Sequence, residues 1–360
     1  MAFSKDNTYV VGGFASFVFG TSIGGTWDGP TSIGTTYEVG DIAFDGSSNL
    51  VVIGALGVNG IYHSGDNGTS FAADVLLDPD VLLKSVSFGA GVFFAVGADF
   101  LTGDGRIFTS PGDGNWTNQH ANPFIPGAHQ ATVNATYFNV FNSTLMVGGT
   151  KADNTGGISL STDHVNWSAF KPNSFTNDGT SFASINDFAS NGVDTIIAGG
   201  HRGAGGVSVA HAQRSVDGGN TWTDLVLNSF GSGGAGSKID TMTFGNGIFI
   251  AAGNDNTNKN HLERSTDNGV TWVPVDLGAI LPNSGNVNDV KWSSALKKFV
   301  LATRDGTNGA VVALSPTGLA GTWVVQTLAY PGGGAAESAG AIAVGERSRL
   351  PANRIAMGLG

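Results

Sequence analysis

Apolar positions along this chain come as short runs, and the runs come in pairs. Each pair is two β-prone stretches around a Gly/Asn/Ser turn, the second ending on small residues. Examples are "AFSKDNTYVVGG" (2–13), "AFDGSSNLVVIG" (43–54), "SFGAGVFFAVG" (87–97) and "YFNVFNSTLMVGG" (137–149). The series continues with "DFASNGVDTIIAGG" (187–200), "TFGNGIFIAAG" (from Phe244) and "KWSSALKKFVLAT" (291–303). This pattern predicts β-hairpins. No stretch carries the 3.6-residue period of an amphipathic helix, and Gly is too frequent for long helices.

Downstream of each hairpin lies an aromatic residue that closes a second turn. The anchors are Trp27, Phe71, Trp116, Trp167, Trp222, Trp272 and Trp323, spaced 44 to 55 residues apart. The remainder of each unit supplies two more strands, such as "GIYHS" and "TSFAADVLL". Units of four strands recurring at about 40–50 residues predict a β-propeller. One blade alone leaves two apolar faces exposed, and stacking around an axis buries them. The expected fold is therefore all-β: a seven-bladed propeller of four-stranded antiparallel blades. Expected units are about 1–35, 36–80, 81–126, 127–174, 175–230, 231–280 and 281–330. Residues 331–360 are expected to supply closing strands: 340–360 reads as one further strand pair, which either closes the ring with the N-terminus, the favoured arrangement, or forms part of an eighth blade. The whole chain, 1–360, reads as one domain.

The turn before each anchor reads Ser-x-Asp-x-Gly-x-Thr-Trp. Two copies are complete: Ser215, Asp217, Gly219, Thr221, Trp222, and Ser265, Asp267, Gly269, Thr271, Trp272. Ser64, Asp66, Gly68, Ser70 and Phe71 nearly match. Asp113 and Asp163 (before Trp116 and Trp167) sit at altered spacing, and the turns at Trp27 and Trp323 lack the Asp. The motif resembles the Asp-box, also called the bacterial neuraminidase repeat. That resemblance implies a propeller whose boxes lie on the outer rim, away from the central site. The chemistry fits a structural role. The carboxylate accepts turn amides, Gly supplies positive φ, and the indole fills the gap between sheets.

The family name invites a sialidase reading, which the residues do not support. "RLP" (Arg349–Pro351) follows the last repeat, whereas sialidases place such a motif before the first. There are four glutamates, Glu38, Glu263, Glu337 and Glu346, and no Tyr–Glu pair stands out. Glycosidases with two carboxylates would have to draw on acids that begin the innermost strands: Asp41, Asp187, Asp240 and Asp289. Turn capping is the plainer role for these acids. Ca²⁺ is weighed for them, but "DPD" (Asp78, Asp80) is too short for a calcium loop, so no cofactor or metal is expected. "GSGGAGSK" (231–238) lacks the full phosphate-loop pattern.

The chain has 360 residues, 56 Gly, no Cys and a net charge of −11. Without a basic stripe, nucleic acid is not an expected partner. No apolar run approaches the roughly 20 residues of a membrane span, and the N-terminus does not read as a secretory signal. Recognition is expected on loops opposite the boxes. There Lys151, His201, Arg202, His211, Asp255, Lys259, His261, Arg304 and Asp305 form a candidate polar binding face. The reading is a soluble, non-catalytic propeller used for binding or assembly, in a virion or in the cytoplasm that makes it. A signal-free, Cys-free, Gly/Asn/Thr/Ser-rich β chain suits a bacteriophage tail, spike or head-decoration protein, with structural proteins or a surface glycan as partners and several copies per assembly. The alternative is a carbohydrate-binding or glycoside-hydrolase-type propeller of the sialidase-like kind.

Overall fold

The computed structural model describes residues 8–12, 17–20, 27, 31–33, 39–54, 60–74, 80–99, 101–119, 132–139, 144–228, 230, 236–254, 260–278, 281, 284–305, 309–328 and 339–344. These residues are all-β, with no helix among them. The first sheet holds β1 (Thr8–Gly12), β2 (Phe17–Gly20) and β3 (Thr31–Ser32). The second holds β4 (Val39–Phe44), β5 (Leu50–Gly54), β6 (Ile61–Ser64) and β7 (Ala72–Ala73). The third holds β8 (Val81–Gly89), β9 (Val92–Asp99), β10 (Gly105–Ser110) and β11 (Thr117–Asn118). The fourth is three-stranded: β12 (Thr132–Asn139), β13 (Thr144–Thr150) and β14 (Gly156–Ser161). The fifth comprises β15 (Ser184–Ser190), β16 (Ile196–Ala204), β17 (Val207–Ser215) and β18 (Thr223–Asp224). The sixth comprises β19 (Lys238–Gly245), β20 (Ile248–Asn254), β21 (Asn260–Ser265) and β22 (Val273–Val275). The seventh comprises β23 (Ser284–Ser293), β24 (Lys298–Asp305), β25 (Gly309–Ser315) and β26 (Val324–Thr327). The last strand, β27 (Ala339–Val344), pairs antiparallel with β1.

The strands β27, β4, β8, β12, β15, β19 and β23 lie against one another in cyclic order around an axis. This is a β-propeller of four-stranded antiparallel blades. Its core sits between sheets rather than within one. Phe249, Trp272 and Ile197 join sheets five and six, while Phe299, Trp323 and Ile250 join six and seven. The anchor aromatics fill these seams: Trp116 and Trp272 are buried, and Trp222 packs against the cluster around Phe188.

The small residues ending each second strand have a specific cause. The innermost strands carry a β-bulge at the same place, for example between Leu83 and Ser85, Ile185 and Asp187, and Ile239 and Thr241. The bulge drives a carbonyl onto the facing second strand. A Cβ at Gly97, Gly200 or Gly253 would lie 2.0, 2.0 or 2.1 Å from the carbonyl oxygens of Leu82, Ser184 and Lys238. Only Gly admits that approach.

Candidate functional site

The Ser-x-Asp turns are closed hydrogen-bond cages. Ser215 Oγ donates to Asp217 Oδ1 (2.8 Å) and accepts from Gly219 N (2.9 Å). Asp217 also accepts from Asn220 N, Thr221 N and Thr221 Oγ1. Ser265, Asp267, Gly269 and Thr271 repeat the arrangement, as do Ser64, Asp66 and Ser70. Gly219 and Gly269 adopt φ of 90° and 78°. Trp222 and Trp272 each donate Nε1–H to the carbonyl of that Gly. Although partial burial opposes it, Thr271 and Ser265 hold Asp267 down at about 2. In the altered fourth copy, Asp163 accepts from Ser161, Val165 and Asn166, and the Trp167 Nε1 atom is buried without a hydrogen-bond partner. Among the described residues the donors to these carboxylates all belong to their own turns, as a structural role requires.

The expected polar face is redistributed by the structure. Residues 199–212 are not a loop: β16 and β17 run through them and turn at Gly205–Gly206. His201 and His211 are therefore strand residues, 7% and 5% exposed, and they point to opposite faces of sheet five. Burial, and secondarily Lys238, lowers His201 to about 4; its ring packs edge-on against Phe182. Burial likewise lowers His211 to about 4, assisted by Arg202 and opposed by Asp224. Lys151 is taken up by Asp153 (3.3 Å) and the Phe170 ring, and His261 packs in a tilted contact against Phe230. Asp255 and Lys259 lie outside the described residues. Arg304 and Asp305 end β24, but their side chains also lie outside the description.

Of the described members of that set, Arg202 and His211 come together, at the seam between sheets four and five. Arg202 Nη1 is 4.0 Å from Asp224 Oδ2. Ser174 Oγ lies 2.9 Å from His211 Nε2 and donates to Asp224 Oδ1. Gln213 Nε2 donates to both Ser174 Oγ and Asp224 Oδ1 at 2.8 Å. A serine, a histidine and an aspartate are thus in contact, but not in catalytic order. With Ser174's one proton given to Asp224, neutral His211 meets the serine through its own Nε2–H and acts as a donor. Asp224 lies on this same nitrogen, 3.6 Å away, rather than orienting the ring from Nδ1. The network fastens the crossing segment around Ser174 to the next sheet. Glu263, fully buried, does the equivalent one sheet on, accepting the Asn228 and Phe230 amides.

The second constellation lies on the axis. Asp41, Asp187 and Asp289 each follow the bulge of an innermost strand. Each reaches the neighbouring innermost strand: Val86 N donates to Asp41 (2.8 Å), Met242 N to Asp187 (2.7 Å) and Ile342 N to Asp289 (2.8 Å). Thr241 occupies the same place in β19 and accepts from Val290 N. Lys291, on β23, extends among the carboxylates, 3.4 Å from Asp187 and 3.2 Å from Asp289. Burial would lower Lys291, but Asp187, Asp289 and Asp41 raise it well above the ordinary lysine value. Burial, reinforced by Asp289, raises Asp41 to about 7, against donors Val86 and Ile42 and the Lys291 charge. Asp187 is also raised, chiefly by burial and against Lys291. Asp240 differs from the other three. It is the bulge residue itself and pairs with Lys238 at 2.7 Å. So Asp41, Asp187 and Asp289 are inter-strand clasps rather than turn caps, and Lys291 is the counter-ion of Asp187 and Asp289, a role the sequence reading does not include. Among the described residues no group of three or more His, Asp or Glu side chains is arranged to hold a metal.

A shallow rim cleft of about 410 Å³ lies between the turns of sheets four and five. It is lined by Trp167, Lys171 and Asn220 together with Thr144, Thr162 and Asn166. Lys171 Nζ bridges it to Asn220 Oδ1 at 3.0 Å.

No protein-family model and no curated protein matches the sequence. Solved structures do match in fold. The GH74 xyloglucanase from Xanthomonas campestris aligns with TM-score 0.63 at 12% identity, over 91% of this chain and 55% of that one. This chain therefore spans about half the xyloglucanase. A structure of YCF48 bound to D1 peptide aligns with TM-score 0.53 at 17% identity, covering 82% and 83%. YCF48 from Cyanidioschyzon merolae aligns with TM-score 0.53 at 16% identity, covering 83% and 94%. The likeness establishes the propeller, and function has to be argued from the residues.

Proposed function

We propose that this chain is a non-catalytic binding propeller whose polar clusters serve the frame. On this reading its seven sheets are the blades of one ring, closed by pairing of β1 with β27, and its turns are Asp-boxes. The observation that carries it is the use of the axial carboxylates. Asp187 and Asp289 are taken up by amides of the neighbouring sheet and by Lys291, and Asp41 by the Ile42 and Val86 amides, which supports a role in the frame. The seam serine gives its proton to Asp224 rather than to His211, which supports a structural role for it. Support for a protein partner comes from the fold neighbour solved with a bound peptide.

For context we propose a bacteriophage virion component (tail, spike or head-decoration protein) that mediates assembly or host-surface recognition and needs no cofactor. The support is compositional: 56 Gly and no Cys in a β chain of net charge −11. Mass spectrometry of purified particles tests it. Stoichiometric recovery with capsid and tail proteins supports the reading, and absence from the particles overturns it. A glycan-binding role is the second reading, favoured by the Trp167-lined rim cleft. A glycan array with Trp167→Ala as the comparison separates the two.

A further inference from the structure

The outer edges of the blades are not alike. Proteins protect sheet edges with short strands, charges or proline. Four outer strands have two residues each: Thr31–Ser32, Ala72–Ala73, Thr117–Asn118 and Thr223–Asp224. Beside β14, Ser168 N and Lys171 N already donate to Leu160 and Ile158. β22 is longer but carries Pro274 at its centre. Among the described outer strands only β26, Val-Val-Gln-Thr, has four residues with neither charge nor proline, and its Val324 and Val325 are 61% and 39% exposed.

The hydrogen-bond phase of β26 fixes what it presents. Leu328 N donates to Ala310 O, and the pairing runs Leu314–Val324, Ala313–Val325, Val312–Gln326 and Val311–Thr327. Bonded pairs alternate in an antiparallel ladder. Val324, Gln326 and Leu328 therefore face inward, and Val325 and Thr327 turn their N–H and C=O outward. No described strand lies outside them. Counting from the anchor tryptophan, Val325 is equivalent to Pro274 in β22, where the outward N–H does not exist.

We propose that β26 is a self-pairing edge, docking against β26 of a second copy of this chain. An antiparallel pair centred on Gln326 sets Val325 opposite Thr327 of the second copy, and Thr327 opposite its Val325. All four outward N–H groups and four outward C=O groups then face one another, as a two-fold interface requires. The strand is uncharged, so no like charges meet at the contact. Four residues a side fall well short of the roughly 800 Å² per partner of a standard interface, so the dimer is weak, with Kd on the order of 100 µM. At net charge −11 per copy, added salt strengthens it by screening the long-range repulsion.

Sedimentation velocity of the purified full chain, from about 1 to about 500 µM, tests this apart from any outside partner. The expected mass rises reversibly from 36.6 kDa towards twice that value. Val325→Pro, which copies the sixth blade's own residue, and Val324→Lys are expected to hold the mass at the monomer value with unchanged melting temperature. A wild type that stays monomeric throughout overturns the proposal. So does a dimer that Val325→Pro leaves intact; in that case copies meet elsewhere.

Discussion

Replacing Lys291 with methionine tests the axial cluster most sharply. The substitution keeps much of the side-chain volume and removes the cation that Asp187 and Asp289 approach at 3.4 and 3.2 Å. Removing one partner of a buried ion pair costs about 3–5 kcal/mol, because the remaining charge stays desolvated. Lys291 keeps 30% exposure, and Asp187 and Asp289 keep 17% and 8%. Water therefore screens part of the effect, and we expect a loss of about 2–3 kcal/mol at pH 8. At about 2.1 cal/mol/K per residue, unfolding this chain carries roughly 0.75 kcal/mol/K, so melting falls by about 3–4 °C. The loss should shrink with acidification. Without the lysine, the folded-state pKa values of Asp187 and Asp41 rise further, so protonation stabilises the variant more than the wild type. Differential scanning fluorimetry at pH 5 and pH 8 measures both effects, with the exposed Lys84→Met as control. Equal melting of Lys291→Met and wild type at pH 8, or a loss identical at both pH values, would refute the reasoning.

The other expectations concern turns, titration and the seam. Asp217→Ala and Asp267→Ala should each cost about 1–3 kcal/mol in urea denaturation, since turn amides lose their acceptor, without altering partner binding. Asp41 has a higher pKa folded, about 7, than its ordinary 3.8. The fold therefore holds its proton more tightly, and this contribution to stability is full below about pH 4 and lost as pH rises through 7. Asp41→Asn should flatten that part of the pH–melting curve, and an unchanged slope would exclude the residue as its source. His211→Ala should lower stability by about 1–3 kcal/mol by emptying a buried, hydrogen-bonded position, whereas half-exposed Arg202→Ala should stay within about 0.5 kcal/mol. Chemical denaturation of both variants compares them directly.

Strand pairs and anchor turns were readable in the sequence because both are local. The Ser215–Asp217–Gly219–Trp222 cage closes within eight residues, so its spacing spells out its geometry. The clasps were not readable, because they join residues 45 to 55 apart through a bulge that shifts the register by one. Asp41 was visible as an acid at a strand start, but its partner Val86 is set by that bulge. Lys291 had one available signal. It follows Asp289 by two residues on an innermost strand, so both share a face. His201 and His211 lie on strands although the Gly-rich stretch around them reads as loop. Its glycines instead admit the close approach of Ser184 O and allow the two-residue turn at Gly205–Gly206. Ser174, Gln213 and Asp224 carried no motif at all, since they meet only across a seam.

On the proposed reading the axial carboxylates hold the ring and perform no chemistry. The most direct test pairs melting curves with hydrolysis of a fluorogenic glycoside panel, for wild type and for Asp187→Asn and Asp289→Asn. Wild type is expected to hydrolyse none of the panel, and both variants to melt at lower temperature. Hydrolysis by wild type that either substitution abolishes, with melting unchanged, would contradict that reading.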